Sequence, residues 1–164
     1  MKTGVAPTVV VVTDVDLVVD FLNTVDHEAH TDVLSDPDAW RRWLDGRGLA
    51  EGAADVRAVR TALRAAVGDP VDMSDEPAGA AVPVTVELPS GGEPRLAATD
   101  VAGAVLAAAS RLVVLGQWGR VKICPADDCR WAFYDRSRNH SRTWCSMQVC
   151  GNREKARTWR SARR

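Results

Sequence analysis

All four cysteines of this 164-residue chain lie in one short segment, between positions 124 and 150. They form two pairs of equal spacing, Cys124-x4-Cys129 and Cys145-x4-Cys150, with fifteen residues between the pairs. Two short loops that each present two thiolates can converge on one tetrahedral Zn²⁺. The segment therefore predicts one zinc ion held by Cys124, Cys129, Cys145 and Cys150. Four thiolates leave no coordination position for water, so we expect a structural site and not a hydrolytic one.

Other states of these thiols remain open from the sequence alone. Disulfide bonds and buried thiols without a metal are the alternatives, and His140 is the one competing ligand. Nothing upstream resembles a secretion signal, because Asp14 ends the apolar run over residues 9–12. We therefore expect a cytoplasmic protein with reduced thiols. No apolar run approaches the ~18 residues of a membrane span.

Charge divides the chain into an acidic part and a basic part. Residues 1–119 contain 9 Lys or Arg and 18 Asp or Glu, whereas residues 120–164 contain 12 and 4. A basic module on an acidic body attracts a polyanion to one side and repels it elsewhere, which orients the encounter. The pattern favours nucleic acid as a partner of the C-terminal part. The alternative is that the two parts attract each other.

The basic part ends in a predicted helix over residues 151–163, which begins beside Cys150. Arginines recur on it at helical spacing, and Trp159 lies on the other side, where we expect it to pack on the zinc module. Guanidinium groups suit bidentate contact with phosphate or guanine. A solvated basic face is the alternative. The expected nucleic-acid contacts are Arg136, Arg138, Arg142, Arg153, Lys155, Arg157, Arg160 and Arg164.

The sequence predicts an α+β protein with two domains, residues 1–118 and residues 119–164. Ser35-Asp36-Pro37 gives a cap and a first-turn proline for one helix, and Thr99 or Asp100 caps a long apolar helix that we expect to be central. In the zinc module, Trp131 and Phe133 share one face of a strand and should form its small core. The other predicted elements are a strand at 8–12, helices at 14–25, 37–46 and 51–67, a mobile acidic loop at 69–81 and a hairpin at 82–98.

Four residues of the N-terminal domain are candidates for a ligand pocket: Asn23, Thr24, Trp40 and Trp43. The first two are polar residues beside an apolar helix face, and the tryptophans stand three positions apart on the next helix. Ordinary surface positions and core packing are the alternatives. We find no Gly-rich phosphate loop and no Ser/His/Asp set, so the sequence does not indicate an enzyme.

Two motifs carry a resemblance to a known family. The pattern Cys124-x4-Cys129-x-Trp131-x-Phe133-x-Asp135 and the run Trp144-Cys145-Ser146-Met147-x2-Cys150-Gly151-Asn152-Arg153 resemble the CGNR zinc-finger proteins of bacteria. The run from Asp20 to Thr24 resembles a signature of the ABATE domain that precedes this finger. A helical segment with an Asn, usual in similar proteins before the hairpin, is replaced here by the acidic linker.

The resemblance implies a function as well as a fold. It implies a treble-clef-like finger that ends in a basic helix, and a stress-induced transcription regulator that binds DNA, with the N-terminal domain receiving a signal or small ligand. Two other classes fit the same residues: an RNA-binding zinc module, and a protein-interaction finger whose helix docks on an acidic partner.

Overall fold

The computed structural model describes residues 13–70, 79–98 and 100–163, and it confirms the α+β class. The predicted strand at residues 8–12 lies outside this range, as do most of the acidic loop, Thr99 and Arg164. No helix in these ranges is long and apolar enough to cross a membrane. The helices are α1 Asp14–Leu22, α2 Pro37–Asp45, α3 Val56–Ala66, α4 Val101–Val114 and α5 Asn152–Ser161. The strands are β1 Val25–Asp26, β2 Thr31–Asp32, β3 Thr85–Glu87, β4 Arg95–Ala97, β5 Val121–Ile123 and β6 Ala132–Tyr134.

The core forms where α1 packs along α4. Phe21 and Leu22 of α1 are fully buried in the same cluster as Val105 and Leu112 of α4. Alanines between these positions keep the surface of α4 shallow, so the two helices can approach closely. Asp100 caps α4, as the sequence predicts, and its carboxylate accepts a hydrogen bond from the Gly103 amide. The apolar helix at 101–114 is thus the centre of the fold.

The helix boundaries show which local signals are strong. Asp36 and Pro37 start α2 as predicted. The sequence also predicts Asp14 as the cap of α1, and this is wrong: Thr13 caps the helix, since its side chain accepts a hydrogen bond from the Asp16 amide. Helix α3 begins at Val56 instead of near Glu51, because the Asp55 carboxylate satisfies the first free amides there.

Among the described residues, three antiparallel hairpins complete the fold. β1 and β2 form a short one where the sequence predicts helix to continue to Val25; α1 ends instead at Leu22. β3 and β4 form the predicted hairpin, in which Val86 pairs with Leu96. In the third, β5 and β6 pair Val121 with Tyr134.

The third hairpin belongs to two clusters at once. Val121 and Ala132 are buried in the main core with the α1 and α4 side chains. The next residue, Phe133, points to the opposite face and is buried among the cysteines. The core therefore crosses the predicted boundary at residue 119, and the division into two domains stays a prediction. Below, "the finger" means residues 119–164.

Candidate metal centre and nucleic-acid interface

The first cysteine pair lies on the loop between β5 and β6. Cys124 follows β5, and its amide donates a hydrogen bond to the Trp131 carbonyl (2.9 Å). The amides of Cys129 and Arg130 both donate to the Ala126 carbonyl, which closes a tight turn. Arg130 has φ 50°, a left-handed conformation that reverses the chain into β6. These bonds aim both sulfurs at the same side of the hairpin.

The second pair lies where the finger turns into its helix. The Ser146 hydroxyl accepts a hydrogen bond from the Val149 amide and starts one turn of π-helix over Met147–Gly151. Cys150 sits in that turn, immediately before α5. A π-helical turn displaces side chains relative to an α-helix and is frequent at functional sites. The prediction that a ligand comes from the helix start agrees with this geometry.

The sulfur atoms of the four cysteines form one cluster. All four Sγ atoms lie within 4.8 Å of one another. Cys145 Sγ is 3.5 Å from Cys129 Sγ and 3.6 Å from Cys150 Sγ. Tetrahedral Zn²⁺ with Zn–S bonds of about 2.3 Å separates its sulfurs by about 3.8 Å, so the donor set fits zinc. All four thiols are free, and the cluster contains no histidine.

Burial makes two of these thiols, Cys145 and Cys150, poor acids without a metal. It raises the pKa of Cys150 to about 11 and that of Cys145 further. Burial alone would also raise the pKa of Cys124, but backbone amides of Cys145 and Ala126 hold it below its usual value. Metal binding must therefore release protons, and acid favours the metal-free form.

A buried carboxylate organises the loop between the two pairs. Asp135 is fully buried and accepts hydrogen bonds from the Ser137 amide (2.9 Å), the Arg142 amide (3.0 Å) and Lys122 Nζ (2.7 Å). Burial alone would raise its pKa, but these bonds lower it strongly. Lys122 also donates to the His140 and Arg142 carbonyls. Sequence reasoning gave neither Asp135 nor Lys122 this role.

The arginines of the loop between the two cysteine pairs differ in how far their side chains are engaged by the protein. Arg142 is committed to the protein, since it donates to the carbonyls of Trp144 and Cys145 and lies 5.0 Å from the Phe133 ring. Arg136 lies over the Tyr134 ring at 5.6 Å, and Arg138 is exposed. Arg136 and Arg138 are thus available to an external anion, whereas Arg142 stabilises the turn into the second cysteine pair.

The predicted arginine stripe on α5 is partly turned toward the protein. Arg153 donates to Asp128 (2.7 Å) and to Glu28 in the β1–β2 hairpin (3.0 Å). Arg157 donates to Asp128 and to Glu154, each at 3.3 Å. The bond from Arg153 lowers the pKa of the Asp128 carboxyl. Glu28 lies among the acidic N-terminal residues, so the acidic and basic parts of the chain do attract each other at this point.

Two tryptophans lie elsewhere than predicted. Trp159 does not pack on the finger: it is 56% exposed, and the Arg163 guanidinium lies 3.8 Å from its ring centroid. Phe133 is buried in the cysteine cluster as predicted, whereas Trp131 is 37% exposed. Strand β6 begins only at Ala132, so Trp131 does not share the strand face of Phe133.

The finger is attached to the N-terminal part by long-range hydrogen bonds that no motif in the sequence indicates. The side-chain amide of Asn23 forms two hydrogen bonds with the backbone of Ala132. Its Oδ1 accepts from the Ala132 amide (2.8 Å), and its Nδ2 donates to the Ala132 carbonyl (2.9 Å). Arg64 donates to the carbonyls of Leu22 and Arg130, both at 2.7 Å. These bonds fix the backbone that follows the first cysteine pair.

A buried ion pair extends this clamp. Asp69 is buried between Arg64 (2.6 Å) and Arg130 (2.8 Å). Burial would raise the pKa of Asp69, but the two guanidinium groups lower it overall. The predicted mobile loop thus begins with an ordered residue. We name Asn23, Arg64, Asp69, Arg130 and Ala132 the inter-module clamp.

The four candidate pocket residues do not form one group. Asn23 faces the finger, and the buried Thr24 hydroxyl donates to the Phe21 carbonyl (2.7 Å) and accepts from Arg60 (2.9 Å). Trp40 and Trp43 stack on each other with centroids 5.1 Å apart. The polar atoms and rings of all four residues contact other parts of the protein. A ligand site at these residues therefore stays a prediction.

Comparisons with known proteins agree with this arrangement. A family model described as "CGNR zinc finger" matches residues 120–164, and one described as "Putative stress-induced transcription regulator" matches residues 15–132. The two matches overlap over residues 120–132, which comprise β5, the loop with the first cysteine pair and the first residue of β6. A search of curated proteins finds no match. Together with the sulfur geometry, the zinc-finger match assigns one structural Zn²⁺ to the four cysteines.

Proposed function

Because the chain belongs to the family of stress-induced transcription regulators that is matched over residues 15–132, we propose that it controls transcription by binding duplex DNA through its zinc finger. The zinc has a structural part in this function. It holds the turn before α5 against the β5–β6 hairpin, and so places the loop arginines and the basic helix on one module.

The observation that carries the proposal is the exposed basic helix on a net-positive module. Residues 120–164 carry a net charge of +8, against −9 for the rest of the chain. None of the described residues of α5 is buried. A helix that contributes nothing to the core but is held by a metal site is available for an external partner. Its charge selects a polyanion.

Several cations are ready for such a partner. Lys155, Arg160, Arg136 and Arg138 form no ion pair within the part of the chain that the structure describes. Each can contact a phosphate without first breaking an internal bond. Arg153 and Arg157 must first break their ion pairs, which involve Asp128 and Glu28, before they contact the nucleic acid. They therefore bind it later and contribute less to the binding free energy.

Those same ion pairs favour a second candidate function. A finger whose arginines already bind carboxylates has the chemistry to dock on an acidic protein surface, including its own N-terminal part. An RNA-binding module also fits the charge. DNA is favoured by the regulator family, and the experiment below separates the three.

Signal reception belongs to the N-terminal part in this proposal. A ligand or stress signal there would act on the finger through the inter-module clamp, because Arg64 binds the carbonyl of Arg130, next to Cys129, and Asn23 binds the backbone of Ala132. A change in the position of α1 or α3 would move the first cysteine pair.

Salt-dependent binding tests the proposal. Zinc-loaded full-length protein is used to select duplexes from a genomic library, and the Kd is measured against salt. The logarithm of the binding constant should fall with log salt at a slope of about −0.9 for each phosphate contacted. Arg160→Ala should weaken binding; where the arginine contacts a base, the loss is about 1–3 kcal/mol.

Arg41→Ala is the matched control. Arg41 is also exposed but pairs with Asp38 on α2 in the acidic part, so its loss removes the same charge without an expected effect. Tighter binding of RNA would favour the RNA module. No binding to either nucleic acid at low salt would replace the proposal by the protein-interaction function.

A further inference from the structure

An aromatic groove runs along the outer face of α5. Its volume is about 400 Å³, within the range of small-ligand sites. Trp144, Gly151, Lys155 and Trp159 are among the residues that line it. At 3.6 residues per turn, Lys155 and Trp159 lie opposite Arg153 and Arg157 on the helix. The groove therefore faces away from Asp128 and Glu28, whereas Glu154, which also binds Arg157, is one of its lining residues.

The two tryptophans have different anchors. Trp144 is half-buried and packs against the cysteine cluster, so the zinc site holds it in place. Trp159 is 56% exposed, and Arg163 covers one face of its ring at 3.8 Å. Stacking with Arg163 restrains the ring, while its other surface remains open. An exposed, restrained indole presents a large flat area to a partner at low entropic cost.

Gly151 keeps the groove open at the start of the helix. A Cβ there would lie 2.3 Å from Met147 Sδ and 3.3 Å from Trp144 Cδ1. Any side chain at this position would displace Met147 or occupy the space beside Trp144. The glycine next to the last zinc ligand thus preserves the aromatic wall.

The charges around the groove select its occupant. Lys155 and Arg163 are the cations beside the aromatic walls, and Glu154 is partly neutralised by its ion pair with Arg157. Flat aromatic walls with flanking cations match a base and the phosphates on either side of it. An acidic peptide can pair its carboxylates with the same two cations, but its backbone offers no flat ring for the tryptophans to stack on, whereas a nucleotide supplies both.

We propose that this groove binds one unstacked base of a DNA strand, held on Trp159, with Lys155 and Arg163 contacting the adjacent phosphates. The inference rests on the proposed DNA-binding function and adds a second contact face to it. The finger then binds a duplex most tightly where a base is unpaired or easily extruded.

The test compares two duplexes of the same sequence, one fully paired and one with a single unpaired thymine. Binding to zinc-loaded full-length protein is measured by fluorescence anisotropy. The unpaired base should tighten binding by about fivefold to a hundredfold, which corresponds to the 1–3 kcal/mol of one stacked base. Trp159→Leu should abolish this preference, so that the variant binds the two duplexes with the same Kd. Trp159→Phe should retain part of it.

Trp131→Leu is the control, because Trp131 is the other exposed tryptophan of the finger and lies outside the groove. It should keep the preference. Equal binding of both duplexes by the wild type, or an undiminished preference in Trp159→Leu, overturns the groove assignment while leaving the DNA-binding function intact. Tighter binding of the matching RNA overturns DNA as the occupant. Failure to bind any DNA overturns the proposed function, and this inference with it.

Discussion

The N-terminal helices and the C-terminal finger obtain their stability from different sources. Around α1 and α4, large apolar side chains such as Phe21 and Leu112 are buried completely. In the finger, the separate cluster consists of the cysteines with Phe133, Ala126 and the half-buried Trp144. Helix α5 buries none of its described residues.

The difference explains what each region is free to do. A region held by apolar packing must commit its helix faces to the core. A region held by a metal can leave a whole helix exposed, because Cys145 and Cys150, just before α5, tie the start of the helix to the metal site. Both faces of α5 thereby become available: one carries the arginines, and the other carries the aromatic groove.

Removal of a zinc ligand should have the largest effect, because it takes away the source of stability of the finger. Cys145→Ser removes one ligand, and zinc content should fall well below one ion per chain. The finger should then unfold, because zinc binding contributes on the order of 10–16 kcal/mol in comparable peptides. Helices α1 to α4 should persist at lower stability, since Val121 and Ala132 leave their core. Metal analysis and amide NMR spectra measure both effects.

Val149→Ala provides the control for this substitution. Val149 is exposed and adjacent to Cys150, so its truncation should preserve full zinc content and the finger signals. A metal-free wild-type finger that is folded, with its thiols joined as disulfides, would contradict the zinc assignment.

A smaller effect is expected where the two regions meet. Asn23→Ala removes both side-chain partners of the Ala132 backbone, and each buried polar group left unpaired costs about 1–3 kcal/mol. Urea denaturation should show a loss of roughly 2–4 kcal/mol overall, and zinc should dissociate more readily. Asn152→Ala removes only an exposed bond to the Gln148 carbonyl and should change stability little. Equal stability of the two variants would show that the clamp does not couple the regions.

The smallest effect concerns the charge contact between the regions. Glu28→Gln releases Arg153 from its N-terminal partner, so duplex DNA should bind more tightly. Exposed ion pairs contribute about 0–1 kcal/mol, which limits the gain to about fivefold. Glu93→Gln makes the same charge change in the β3–β4 loop and should leave the Kd unaltered. An equal gain from both variants would assign the effect to net charge alone.

The sequence predicts those features whose causes are local. The zinc ligands are two pairs of cysteines of defined spacing, each pair on a short loop. The helix starts at Asp36-Pro37 and Asp100 depend on caps that act within one turn. The basic module follows from composition. These parts of the fold and of the site required no knowledge of distant contacts.

The remaining features depend on partners far apart in the chain. Arg64 falls on a polar stripe of its helix, yet it is buried because Asp69 and two backbone carbonyls lie beside it. Nothing near Asn23 indicates Ala132 as its partner. The β1–β2 strands have two residues each, too few for a periodic pattern. Trp159 has the spacing of a packed residue, and only the direction of α5 leaves it exposed.

The double membership of the β5–β6 hairpin has a consequence for synthesis on the ribosome. Helix α1 is made early, but the core it enters includes Ala132, more than a hundred residues later in the chain. The early helices cannot complete their packing until that hairpin has left the exit tunnel. The hairpin also bears Cys124 and Cys129, so a nascent chain completes its core only when most of the finger has been synthesised. Chains on ribosomes stalled before residue 132 should therefore still be sensitive to protease.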